Sequence, residues 1–110
     1  MTQGISDQIE KLRRAIEQNP SDPEAHYNLG FLLYNQTCYN EAAEEFQEAI
    51  RLKPTHARAH SYIGAAFYYT GNKKEGEARE YLERALRLYE RTGRPEYVTY
   101  TRNILDGLPE

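Results

Sequence analysis

The sequence has little of what usually announces chemistry. One cysteine, Cys38, occurs in 110 residues. No internal disulfide can form, which fits a reducing compartment. Its neighbours Gln36, Thr37, Tyr39 and Asn40 supply neither a base nor a cation to activate a thiol, so Cys38 reads as incidental. No stretch approaches the roughly 18 apolar residues of a membrane span. The opening MTQGISDQIEKLRR has no apolar core of the kind a signal peptide needs. Runs of Lys/Arg and acidic tails are also missing, and the net charge of −3 is spread along the chain. Nothing therefore favours nucleic acid as a partner, or direct membrane insertion. Gly71 and Gly76 flank a lysine pair but lack the strand-to-helix setting of a phosphate loop. His56 and His60 are four apart, a spacing that suits a metal on one helix face, yet no third ligand is near. Glu41, Glu44, Glu45 and Glu48 make an acidic face, read as solvated or as a dock for a basic partner; tandem carboxylates alone are not an acid–base pair. With no convergent catalytic set, the expectation is a soluble cytoplasmic protein without enzymatic activity, metal or cofactor.

What is present is aromatic and repetitive. Ten Tyr and three Phe bring the aromatic fraction to 12%. The hydrophobic fraction is only 39% and the mean hydropathy −0.89. A helical array reconciles these better than disorder, which is aromatic-poor. The segments AHYNLG (25–30) and AHSYIG (59–64) lie 34 residues apart, with His26/His60 and Gly30/Gly64 in register. That period points to stacked helical hairpins whose task is to hold another molecule. The length fits one domain.

Along the chain, Ile5, Ile9, Leu12, Ala15 and Ile16 form one apolar stripe of a helix over 6–18, capped by Ser6 or Asp7. The prolines at 20 and 23 stop it, and Asp22 can cap the next helix with Pro23 at its first position. That helix is apolar nearly all round, so it is covered on more than one side. Gly30 weakens it by about 1 kcal/mol relative to Ala, a cost offset by close approach of a neighbour. A second helix runs from 39 or 40 to 53 and ends at Pro54. Residues 57–70 repeat the first helix. The partner that follows arrives two residues late, which places an insertion between Gly71 and Glu77 after a Gly71-Asn72 turn. It lacks a closing proline and runs on to 91 or 92. A last helix over 95–106 has Tyr97, Val98, Thr101, Ile104 and Leu105 inward and a polar outer face, as a terminal cap requires.

Leu29-Gly30, Leu33, Ala42, Phe46, Ala49 and Pro54, echoed by Ile63-Gly64, Phe67, Ala78, Leu82 and Ala85, resemble the tetratricopeptide-repeat pattern. The resemblance implies an all-α, right-handed α–α superhelix. It has an N-terminal half-repeat helix (6–18), repeats at 23–56 and 57–91, and a capping helix at 95–106. His26 and His60 depart from the pattern by replacing a large aromatic, and Thr37-Cys38 stands where a Gly-Asp-like turn is common. The starting Met and a cap at either end fit a complete chain.

In this family ligands lie on the concave face, lined by the first helix of each repeat. Carried over, the resemblance implies a groove of Tyr27, Phe31, Tyr34 and Asn35 from the first repeat, with Arg58, Ser61, Tyr62, Ala65, Tyr68 and Tyr69 from the second. Tyr27, Phe31 and Tyr34 fall at spacings of four and three, hence on one stripe. The stripe reads either as a peptide groove, with Asn35, Arg58 and Arg102 hydrogen-bonding the peptide, or as packing against flanking helices. The clamp that holds chaperone carboxylates is disfavoured, because Tyr27, Phe31 and Tyr62 stand where its Lys and Asn residues would be. The expected partner is another protein, bound through a peptide segment. The alternative is self-assembly as a homodimer through the terminal helices.

Overall fold

The computed structural model of the chain describes residues 2–70 and 75–108. Among these residues it has six α-helices and no strand: α1 (Thr2–Gln18), α2 (Pro23–Asn35), α3 (Tyr39–Leu52), α4 (Ala57–Thr70), α5 (Glu75–Thr92) and α6 (Pro95–Asp106). Each helix packs on the next, and α2 also touches α4. This is the all-α superhelical stack that the repeat implies. α2 and α4 are covered on several sides, which is why their sequences are apolar nearly all round. The Gly71-Asn72 turn falls at 71–74, and those residues lie outside the described ones, as does part of the stretch expected to hold the two-residue insertion.

Local chemistry sets the helix ends. Asp22 Oδ1 accepts the Glu24 N–H at 3.0 Å, and Pro23 sits at the first position. α4 is capped by a side chain too: His56 Nδ1 accepts the Ala59 N–H at 3.2 Å. The first helix is longer than expected. It runs past Ser6 to Thr2, because no proline before Ser6 forbids it.

α2 and α5 end in the same motif. The Cys38 N–H donates to the Leu33 carbonyl at 2.9 Å and the Arg94 N–H to the Tyr89 carbonyl at 3.1 Å. Each bond spans a residue with positive φ, Gly93 at 71° and Thr37 at 62°. Glycine suits that left-handed position, whereas a β-branched threonine is strained in it.

The helices of each hairpin meet over a glycine. A Cβ added at Gly30 would lie 2.8 Å from Phe46 Cε1. At Gly64 it would lie 2.6 Å from Leu82 Cγ and 3.0 Å from the Ala78 carbonyl oxygen. Phe46 and Leu82 are fully buried at these crossings, with Ala42, Ala49, Ala78 and Ala85 beside them. Close approach thus offsets the helix propensity that the glycines lose.

The two histidines in the aromatic position act as ties between repeats. His26 Nε2 donates to the Pro20 carbonyl at 2.9 Å, and His60 Nε2 to the Pro54 carbonyl at 2.8 Å. Each inner helix is thereby fastened to the proline that closes the helix before it. His26 Nδ1 also faces Glu45 Oε1 at 2.9 Å. Both of its neighbours are acceptors, so the ring is best satisfied with two protons. Burial opposes that charge, but the Glu45 and Pro20 hydrogen bonds outweigh it and raise the pKa. His60 Nδ1 is buried with no hydrogen-bond partner among the described residues, and burial lowers the ring's pKa.

Candidate functional site

Three helices that are not neighbours in sequence converge on the inner side of the stack. α2 contributes Tyr27 and Phe31, α4 contributes Arg58, Ser61 and Tyr62, and α6 contributes Glu96, Tyr97 and Tyr100. They line a groove of about 540 Å³. The rings interlock: Phe31 meets Tyr62 edge-on at 5.3 Å, and Tyr27 lies 6.2 Å from Tyr62. Tyr97 stacks on Tyr89 of α5 at 5.0 Å. Arg58 lies over the Tyr97 ring at 5.7 Å, and its charge near Tyr27 opposes the effect of burial on that phenol. Burial pushes the Tyr27 phenol up to about 12 and also raises Tyr62 and Tyr100. These hydroxyls therefore stay neutral near pH 7, able both to donate and to accept.

The expected residues divide by position. Tyr27, Phe31, Arg58, Ser61 and Tyr62 come together in the groove. Tyr34 packs edge-on against Tyr39 and Tyr62, 5.3 and 5.2 Å away, which leaves it half-buried in a ring cluster. Tyr68 and Tyr69 line a second hollow at the far end of α4, shared with Tyr100 and Ile104 of α6. Ala65 is fully buried and offers a ligand no surface. It is a methyl side chain set between the far larger Tyr62, Tyr68 and Tyr69 at helical spacing. Asn35 is exposed on the last turn of α2 and does not line the groove. Arg102 is engaged with Glu90 at 3.2 Å instead of facing the groove.

The whole α6 wall of the site was missed in the sequence. α6 takes the place of a third inner helix: Thr101 is fully buried, as Ile63 and Leu29 are in α4 and α2. The step from Ile63 to Thr101 is four residues longer than that from Leu29 to Ile63, and Arg102 replaces the glycine of Leu29-Gly30 and Ile63-Gly64. The helix therefore carries no repeat signature. The inward face that includes Thr101 was legible, but without the glycine it read as a terminal cap and not as an inner wall.

At the other end of α4, a polar hollow of about 330 Å³ adjoins the groove and shares Arg58, Tyr89 and Tyr97 with it. Lys53, Arg94, Glu24 and His56 are the other charged or titratable residues that line it. His56 Nε2 lies 2.9 Å from Glu24 Oε1, and burial lowers the ring's pKa. Since Nδ1 accepts from backbone, the neutral ring carries its proton on Nε2. Among the described residues no three His, Cys, Asp or Glu side chains gather as a metal site would require, and no helix is long and apolar enough to cross a membrane.

Tetratricopeptide-repeat models match residues 23–56 and 59–92, and a further TPR-repeat model matches 9–36. The chain belongs to the tetratricopeptide-repeat family. Solved structures of the family agree. A crystal structure of MamA is 31% identical over 84% of this chain, with a TM-score of 0.73. This chain spans about half of that protein, 53% of its length. The TPR2B domain of yeast Sti1, in a complex with pHsp70, is 17% identical over 94% of this chain and 82% of its own, with a TM-score of 0.83. YrrB, a TPR protein with an unusual peptide-binding site, is 24% identical over 93% of this chain and 50% of its own, with a TM-score of 0.75. At such identities the last two share the fold alone. No curated protein matches the chain. Tetratricopeptide-repeat folds are scaffolds for protein–protein interaction, and this chain has that scaffold.

Proposed function

We propose that the chain binds a peptide segment of a partner protein in the groove between α2, α4 and α6, acting as a small cytoplasmic adaptor. The division into a half repeat, two full repeats and an end helix belongs to the same reading. The observation that carries it is the open aromatic wall. Tyr100 is 46% exposed, and Tyr68 and Tyr69, at 40% and 57%, continue the surface. Exposed aromatics grouped in a concavity are unusual on a surface that has no partner. Tyrosine also gives large, stiff contact area with a polar tip at low entropic cost. YrrB's peptide-binding site and the Sti1 complex lend the reading general support by fold.

The test is a pull-down from native lysate with wild type and with Tyr62→Ala/Tyr100→Ala. Tyr27 is a poor choice for this purpose, because it is buried against Phe46 and His56 and its loss damages the core. Loss of the captured protein, with helical content retained in circular dichroism, supports the groove. Undiminished capture refutes it.

A further inference from the structure

We propose that the groove is polarised from end to end. It selects a partner segment carrying a carboxylate side chain at one end and apolar or aromatic side chains at the other. The inference rests on the groove being a peptide site and names the chemistry of that peptide.

The positive end lies at the start of α4. Lys53, Arg58 and Arg94 converge on the hollow that continues the groove. Among the described residues none of the three has a carboxylate within ion-pair distance. Glu24, the acid in that wall, is turned to His56 at 2.9 Å. Arg58 and Arg94 both lie within 6 Å of the Tyr97 ring centre, at 5.7 and 5.9 Å. Both arginines and Lys53 line one hollow, so an anion bound there is attracted by all three cations. A planar carboxylate matches the donor fork of either arginine.

Among the described residues the opposite end is uncharged: Tyr68, Tyr69, Tyr100 and Ile104 line it beside Asn103, with no described Lys, Arg, Asp or Glu. The two ends are joined by α4, Ala57–Thr70, whose 14 residues span about 20 Å at the usual helical rise. An extended segment covers that length in about six residues. The acidic residue and the apolar anchor of the bound segment are therefore roughly four to six positions apart, with Tyr62 and Tyr97 under the residues between.

The probe is a phage-displayed library of random dodecapeptides, selected on the full chain. The enriched peptides are then measured by fluorescence polarisation against wild type, Tyr62→Ala/Tyr100→Ala and Lys53→Glu/Arg94→Glu. Lys53 and Arg94 are exposed, so their reversal leaves folding intact, and circular dichroism checks this. Enriched peptides are expected to share an Asp or Glu at that distance from an aromatic or large aliphatic residue. Their affinity should fall at least tenfold in the charge-reversed variant, fall when the acid is changed to its amide, and weaken with salt. Peptides lost in Tyr62→Ala/Tyr100→Ala but with no acidic preference, bound equally by the charge-reversed variant, overturn the polarity and leave the groove standing. Peptides that bind all three proteins alike overturn both.

Discussion

Replacing Gly64 by alanine sets two effects of known sign against each other. Alanine gains about 1 kcal/mol of helix propensity over glycine. The new methyl meets Leu82 Cγ at 2.6 Å and the Ala78 carbonyl oxygen at 3.0 Å. The first of these atoms is a branch point close to its own backbone and the second is backbone, so neither can swing aside. Overpacking typically costs about 1–3 kcal/mol, and a site with no soft neighbour belongs at the upper end. The net expectation is a loss of about 2 kcal/mol, which lowers the melting temperature by about 8 °C in a domain of this size. Gly30→Ala is the matched control. Its methyl meets the edge of the Phe46 ring at 2.8 Å, and a ring can tilt. Its net cost is expected to be about 1 kcal/mol or less, since propensity offsets most of the strain. Thermal and urea unfolding followed by circular dichroism measure both. If Gly64→Ala is as stable as wild type, or Gly30→Ala is the worse of the two, the account of the α4–α5 crossing is wrong.

Three further outcomes follow from particular contacts. Thr37→Gly relieves a β-branched residue at φ 62° and is expected to add about 1 kcal/mol in urea melts, with unchanged stability contradicting the strain. His26 has its pKa raised in the fold, so it adds stability that is fully present below the ordinary histidine value near 6.5 and disappears as pH rises through its folded pKa. Wild type should therefore gain on His26→Gln between pH 8 and pH 6, and equal pH slopes would refute the Glu45 pairing. His60 behaves oppositely: its lowered pKa means that the unfolded chain takes up a proton first as pH falls below 6.5, so stability is lost there. Arg84 and His56 add to that cost, and His60→Phe should flatten the acid limb of the stability curve.

The fold was legible in the sequence because a repeat writes each packing rule twice. Gly30 and Gly64 marked the close crossings, Asp22-Pro23 marked a helix start, and a missing proline after Leu88 marked a helix that runs on to Thr92. The groove was legible only where the repeat was. Tyr27, Phe31 and Tyr62 were expected there through the repeat resemblance, which puts the first helix of each repeat on the inner face. Tyr97 and Tyr100 were not, since α6 has Thr101-Arg102 where the other inner helices have an aliphatic residue and glycine. A single strand of residues also gives no measure of depth. Ala65 and Tyr68 were both expected to line the groove, yet one is fully buried and the other 40% exposed. The pairing of His26 with Glu45 within one hairpin, and of His60 with the Pro54 carbonyl of the repeat before, arises from tertiary packing and is invisible in either residue's immediate neighbours in sequence.

The central claim is that the concave groove, and not the outer face, meets the partner. Site-specific photocrosslinking tests it most directly. A benzophenone side chain in place of Tyr100, which lines the groove, is compared with one in place of Glu83, an exposed residue of α5 outside the groove. Irradiation in native lysate is expected to give a discrete adduct with a second protein from position 100 and none from position 83. An adduct from position 83 with nothing from position 100 would contradict the account.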